Sequence, residues 1–203
     1  MLWLALALGS ALFLGLYDVA KKSALEDNDV LSVLALTSVI GSILLGAVVL
    51  FSTFVAPTSA PFRIESLAPH EHLLVLGKSA LVSASWLATF FALKHLPLSL
   101  ASPLRASAPL FTLLGALVIY GERPSALAWC GIVLIIASYF WLASAGRKEE
   151  IVLEKNRWVL LLLLGTFFGS LSALYDKHLL ATGSQNLEPT TLQLWFTLYH
   201  SLL

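Results

Sequence analysis

The groups in this chain that could do chemistry are ionisable side chains set among apolar residues. Asp18 and Asp176 close two copies of one tripeptide, Leu16-Tyr17-Asp18 and Leu174-Tyr175-Asp176, while Lys78 and Arg105 interrupt two further apolar stretches. An ionisable group at bilayer depth costs at least about 2.5–3.5 kcal/mol on insertion scales, so it is usually paired or faces water and marks a functional site by default. Asp18 is expected to end the first helix at one membrane face, with Arg105 about 10 Å in from the start of the fourth helix at that same face. Lys78 and Asp176 are expected near the opposite face. The result is two candidate charge pairs for binding a small molecule, and two aspartates that are candidate proton carriers.

Each of these residues has a plainer rival reading. Asp18 and Asp176 can mark the membrane interface, with Tyr17 and Tyr175 as belt aromatics at headgroup level, and Lys78, close to the start of its span, can snorkel. Arg105 lies deeper, on a helix interrupted by Pro103 and Pro109. Prolines free backbone carbonyls that can coordinate a substrate, an ion or a guanidinium; structural pairing with Asp18 is the rival role. Trp86, near mid-membrane, reads first as core packing and second as a wall on which a ligand stacks. Gly165 and Gly169 form a Gly-x-x-x-Gly pair, and Ala80, Ala84, Ala88 and Ala92 a small-residue ridge; both are devices for close helix approach.

Catalysis and metal binding find little support. The histidines are dispersed: His70 and His72 are placed in a loop, His95 and His178 at helix ends, and His200 in a partial span. His70-Glu71-His72 lacks the i, i+4 spacing of a helical metal site. The single cysteine, Cys130, lies in an apolar run, which excludes an internal disulfide. No catalytic residue, metal or cofactor is expected, and a formal net charge of zero gives no pointer to nucleic acid.

The elements that must position these residues are membrane spans. The chain is 58% hydrophobic and 12% charged, against roughly 25% charged residues in soluble domains. A spanning helix needs about 20 apolar residues. Six stretches qualify, 2–20, 31–55, 73–93, 98–120, 125–145 and 157–180, and 190–203 is a partial seventh. The first lacks a basic n-region and carries Asp18, which argues against a cleaved signal peptide. Residues 56–72 read as a surface crossover, and 146–156 as the boundary between two repeats.

The doubled tripeptide is part of a longer repeat, because a polar loop and then a second apolar helix follow each copy. Five spans precede the second copy, so it enters the membrane upside down, the inverted topology of many secondary transporters. If the first copy fills residues 1–145, the second has barely begun at Leu203. On that arithmetic roughly 100 residues are missing and the chain is a fragment. Basic residues favour one side, with Lys21, Lys22, Lys94, Arg147, Lys148, Lys155 and Arg157 against Arg63, Arg123 and Lys177. That imbalance places the N-terminus outside.

Three segments, Ala101-Ser102-Pro103-Leu104-Arg105-Ala106-Ser107-Ala108-Pro109, Gly121-Glu122-Arg123-Pro124 and Trp129-Cys130-Gly131, resemble the EamA-type branch of the drug/metabolite transporter superfamily. The likeness rests on the Pro-containing fourth helix, the Gly-Glu-Arg turn at its end and a Gly near the start of the fifth helix. It implies a ten-helix transporter of two inverted five-helix repeats, moving small metabolites by alternating access through a cavity between them. Glu122 matches the family's turn glutamate, with a structural or gating role expected beside Pro103, Pro109, Gly165 and Gly169. Both termini of such transporters lie in the cytoplasm, opposite to the charge count here. With the later helices absent, this chain alone is not expected to transport.

The expectation is therefore an all-α polytopic membrane protein: a first EamA-type repeat at 1–145, an inter-repeat loop at 146–156, and the start of a second repeat at 157–203. Its partners are the lipid bilayer and a small-molecule substrate, with a homodimer left open. Its expected location is a cell membrane, a bacterial inner membrane in particular. The alternative is a non-transporting membrane scaffold or assembly subunit.

Overall fold

The computed structural model describes residues 2–55, 64–146, 156–181 and 186–203, which contain eight helices and no strand. Most of the crossover and nearly all of the inter-repeat loop, with Arg63, Arg147, Lys148 and Lys155, lie outside the described residues. The helices are α1 (Leu2–Asp27), α2 (Val30–Val55), α3 (Pro69–His95), α4 (Leu98–Arg105), α5 (Ala108–Tyr120), α6 (Ala126–Gly146), α7 (Arg157–Leu180) and α8 (Pro189–Leu202). Five segments are long and apolar enough to cross a membrane: α1, α2, α3, α4 with α5, and α7. Among the described residues, α6 contributes a shorter apolar stretch, Ala126–Ser138.

Local chemistry sets the helix ends. Pro69 opens α3, and the Glu71 carboxylate accepts the Ala68 N–H at 2.6 Å, supplying one of the helix's orphan donors with a partner. Asn156 caps α7 by accepting from the Trp158 N–H, and Glu188 caps α8 by accepting from that of Thr191. The fourth span breaks because Pro109 has no N–H to give the carbonyl of Arg105 four residues back. α4 therefore stops at Arg105, and after Ala106 and Ser107 the chain restarts as α5. Gly121 ends α5 at φ 63°, a left-handed conformation that glycine adopts without Cβ strain.

The centre of the bundle is an antiparallel pair, α3 against α7. Along α3, Lys78, Ser85 and His95 meet Asp176, Gly165 and Trp158 in turn, so the two helices run in opposite directions. A Cβ on Gly165 would lie 2.9 Å from the Ser85 carbonyl oxygen and 2.6 Å from Thr89 Oγ1. Only glycine permits this approach, and Ser85 Oγ uses it to donate to the Gly165 carbonyl at 2.6 Å.

Two apolar clusters lie toward opposite ends of this pair. One gathers Leu25, Phe90, Leu93, Leu96, Leu104 and Leu162, and the other Val75, Leu179, Leu187 and Leu192. Between them the interior is polar, with Ser85, Thr89, Thr166 and Ser170 buried. Large apolar side chains face outward instead, Phe54 being 83% exposed. That inversion suits a hydrocarbon surround, in which polar backbone and side chains must find partners inside the protein.

Three expectations change. α1 does not end at Asp18 but continues to Asp27, because Lys21, Lys22, Ala24, Leu25 and Glu26 are good helix formers and no breaker intervenes. α3 begins at Pro69, so His70 and His72 stand on a helix rather than in a loop. The alanine ridge divides: Ala88 and Ala92 are buried while Ala80 and Ala84 are exposed, because α7 packs against the face bearing Ser85 and Thr89.

Candidate functional site

Asp18 sits more than two turns before the end of α1, where it meets two cations. Arg105 Nη1 donates to Asp18 Oδ2 at 2.6 Å, and Lys21 Nζ lies 3.1 Å from Oδ1, one helical turn along α1. Arg105 reaches this point because α4 ends at it. The side chains of Lys21, Asp18 and Arg105 are 5, 16 and 29% exposed. Charges this far from water need close partners, and the carboxylate supplies one to each cation. Lys21 also lies over the rings of Tyr17, at 4.5 Å, and Phe90, at 5.1 Å, so aromatic faces supplement its single carboxylate.

This cluster borders a cavity of about 430 Å³ between α1, α3, the α4–α5 break and α7. Tyr17 and Lys21 come to its wall from α1, Trp86 and Thr89 from α3, Arg105 from α4 and Thr166 from α7. Gly165 and Gly169 complete the α7 side. Asp18 is not on the wall; it stands behind the two cations that are. Trp86 is half-buried, parallel to Phe90 at 6.1 Å and edge-on to His200 at 4.7 Å.

Lys78 and Asp176 also meet, as an ion pair between α3 and α7, with Lys78 Nζ 4.6 Å from the Phe196 ring centroid. Lys78 is buried and Asp176 half-buried, and neither lines the cavity. Tyr175, the counterpart of Tyr17 in the repeated tripeptide, packs on the second apolar cluster and stacks over His178. At that same end Glu122 pairs with Lys177, and Tyr120 donates its hydroxyl proton to the Leu174 carbonyl at 2.7 Å. Pro109 lies one residue beyond Ala108 on the cavity wall, and Pro103 within α4. Among the described residues no group of three or more histidine, cysteine or acidic side chains could hold a metal ion.

Lys21 is the functional candidate that sequence reasoning missed. The polar run from Lys21 to Asp29 reads as a loop by composition, yet Lys21 is buried at the cavity wall. Its spacing of three from Asp18 is the signal available, since it places both on one helix face once helix continuation is recognised. Lys22 is likewise no free loop charge, because its Nζ donates to the Leu93 and Lys94 carbonyls at the end of α3. Asp29, between α1 and α2, accepts from both the N–H and the hydroxyl of Ser32. The Ser32 backbone bond, ahead of its hydroxyl, holds the Asp29 carboxyl below the usual range.

The family model for EamA-like transporters matches residues 1–144. The chain belongs to the EamA-like transporter family. A search of curated proteins and a search of solved structures each return no match. The EamA-like match takes in α1 to α5 and nearly all of α6, and with them Asp18, Lys21, Lys78, Trp86, Arg105 and Glu122. It makes the chain a multi-pass membrane protein of a transporter family rather than of an enzyme family.

Proposed function

We propose that the protein is a secondary transporter that moves a small metabolite by alternating access, with the cavity between α1, α3, α4–α5 and α7 as its substrate site. The observation that carries this reading is the Lys21–Asp18–Arg105 cluster at a cavity of about 430 Å³ inside a membrane bundle. Charges held at such depth are expensive and are expected where they serve a substrate or ion pathway. α1 and α7 are the corresponding helices of two inverted repeats, 1–145 and 157–203. Their directions support this: Lys22 near the end of α1 reaches the end of α3, whereas the start of α7 stacks there through Trp158. The membrane is a cell membrane, a bacterial inner membrane in this reading.

Reconstituted in proteoliposomes, the full-length protein with both repeats complete should give saturable uptake or efflux of one member of a panel of labelled metabolites. Arg105→Ala combined with Asp18→Asn should abolish that flux while the protein still inserts. Flux unchanged by the pair of substitutions would remove this cluster from the transport site.

A further inference from the structure

The cavity wall carries an imbalance of charge. Lys21 and Arg105 face the space, Asp18 stands behind them, and among the described residues no carboxylate lies on the wall itself. With all three groups in their usual ionised states, two positive charges answer one negative charge. Asp18 Oδ2 accepts from Arg105, and Oδ1 lies within ion-pair distance of Lys21 Nζ, at 3.1 Å, without a hydrogen bond. One positive charge is left without a partner ion on the wall, in surroundings where such a charge is costly.

The hydroxyls nearby do not offset it. Ser85 Oγ donates to the Gly165 carbonyl and Thr166 Oγ1 to the Leu162 carbonyl, which commits their protons to backbone. A negative headgroup would find its charged donors in Lys21 and Arg105, beside the Tyr17 and Thr89 hydroxyls on the same wall. The remaining wall suits a flat apolar body: Tyr17, Trp86 and Phe90 present aromatic surface to the same space. A volume of about 430 Å³ is in the range of small-molecule sites.

We infer that this cavity binds a small organic anion of net charge −1, its carboxylate held between Lys21 and Arg105 and an aromatic or similarly flat body lying against Trp86 and Tyr17. The assignment rests on the cavity being the transport site. A bound monoanion brings the cluster to neutrality. A zwitterion of the same shape leaves the excess charge in place and brings its ammonium to an aspartate that already stands between two cations and off the wall. A cation adds a third positive charge.

The test uses ligands that share one ring system and differ in charge: indole-3-acetate, tryptophan and tryptamine, titrated by calorimetry against the purified protein in lipid nanodiscs. Indole-3-acetate should bind at least about tenfold more tightly than either of the others, a preference of at least ~1.4 kcal/mol. Arg105→Gln and Lys21→Gln should each weaken it by at least about tenfold, and Trp86→Ala by a smaller factor. Arg105→Lys and Lys21→Arg keep the charge, and should keep the order of the three ligands if the neutral variants fail to fold. Equal affinities, a preference for tryptophan or tryptamine, or no binding by any of the three overturns the inference. Tight binding of the anion without flux by the full-length protein in proteoliposomes would instead leave the ligand class standing and overturn the transport reading. Flux of a zwitterion or cation with no preference for the anion would do the reverse.

Discussion

At the scale of single residues, Asp18 carries more of the cluster than either cation, because its removal leaves two like charges facing each other. Breaking a buried ion pair by deleting one partner costs about 3–5 kcal/mol. Asp18→Asn should approach that range, whereas Arg105→Ala, which takes away the most exposed of the three and leaves Asp18 with Lys21, should cost about 1–3 kcal/mol. Thermal unfolding of the two variants in the same nanodiscs measures the difference; equal losses would mean that Lys21 does not depend on Asp18. Asp29 offers a pH-dependent case outside the spans. Its carboxyl is held below its usual range in the folded protein, so its contribution is present at neutral pH, begins to fade as pH drops below about 4, and is gone below the folded value. Amide exchange in the first turn of α2 should quicken relative to the helix interior over that window, and Asp29→Ala should remove the pH dependence. The Asp18–Arg105 contact was legible in the sequence because a charge inside an apolar run asks for a partner. Lys21 was not, because composition hides a helix that continues through polar residues.

At the scale of elements, the contact between α3 and α7 depends on one glycine more than on the other. A Cβ at Gly165 meets the Ser85 backbone oxygen at 2.9 Å and the Thr89 backbone nitrogen at 3.1 Å, atoms that move only if the whole helix moves. At Gly169 the nearest atom is Ser85 Oγ at 3.2 Å, a side-chain end able to shift slightly. Gly165→Ala should therefore destabilise the bundle by about 1–3 kcal/mol, the usual cost of overpacking, and Gly169→Ala by less. Chemical denaturation of both variants ranks them, and a larger loss at Gly169 would contradict the packing described above. A Gly-x-x-x-Gly pair can be read from sequence, but the face of the partner helix that receives it cannot. The alanine spacing in α3 pointed to one stripe, whereas the buried contact runs through Ser85 and Thr89, because a membrane bundle hides its hydroxyls and shows its apolar groups to lipid. The break between α4 and α5 was foreshadowed by Pro109; what sequence could not convey is that it delivers Arg105 to Asp18.

At the scale of the whole molecule, the spans stand out in the sequence because apolar length is a one-dimensional signal, while the cavity depends on which helices become neighbours. If the protein transports as proposed, those neighbours include a moving part. The end of α5 is joined to α7 by the Tyr120 hydroxyl on the Leu174 carbonyl and by the exposed pair Glu122 and Lys177. An exposed pair contributes only about 0–1 kcal/mol, so it can separate and reform at little cost, as a joint between halves that rock against each other must. Replacing both residues by cysteine, with the exposed Cys130 changed to serine, should leave folding intact and let a reducible bis-methanethiosulfonate reagent bridge the two thiols, which stand where long side chains met and too far apart for a direct disulfide. If α5 and α7 part at this face during the transport cycle, the cross-linked full-length protein should lose most of its flux in proteoliposomes and a reductant should restore it. The reduced double variant should transport at close to the unmodified rate, since the joint itself supplies little stability. Full flux from fully cross-linked protein would mean that this face stays closed throughout the cycle, and that access to Lys21 and Arg105 alternates along some other seam of the bundle.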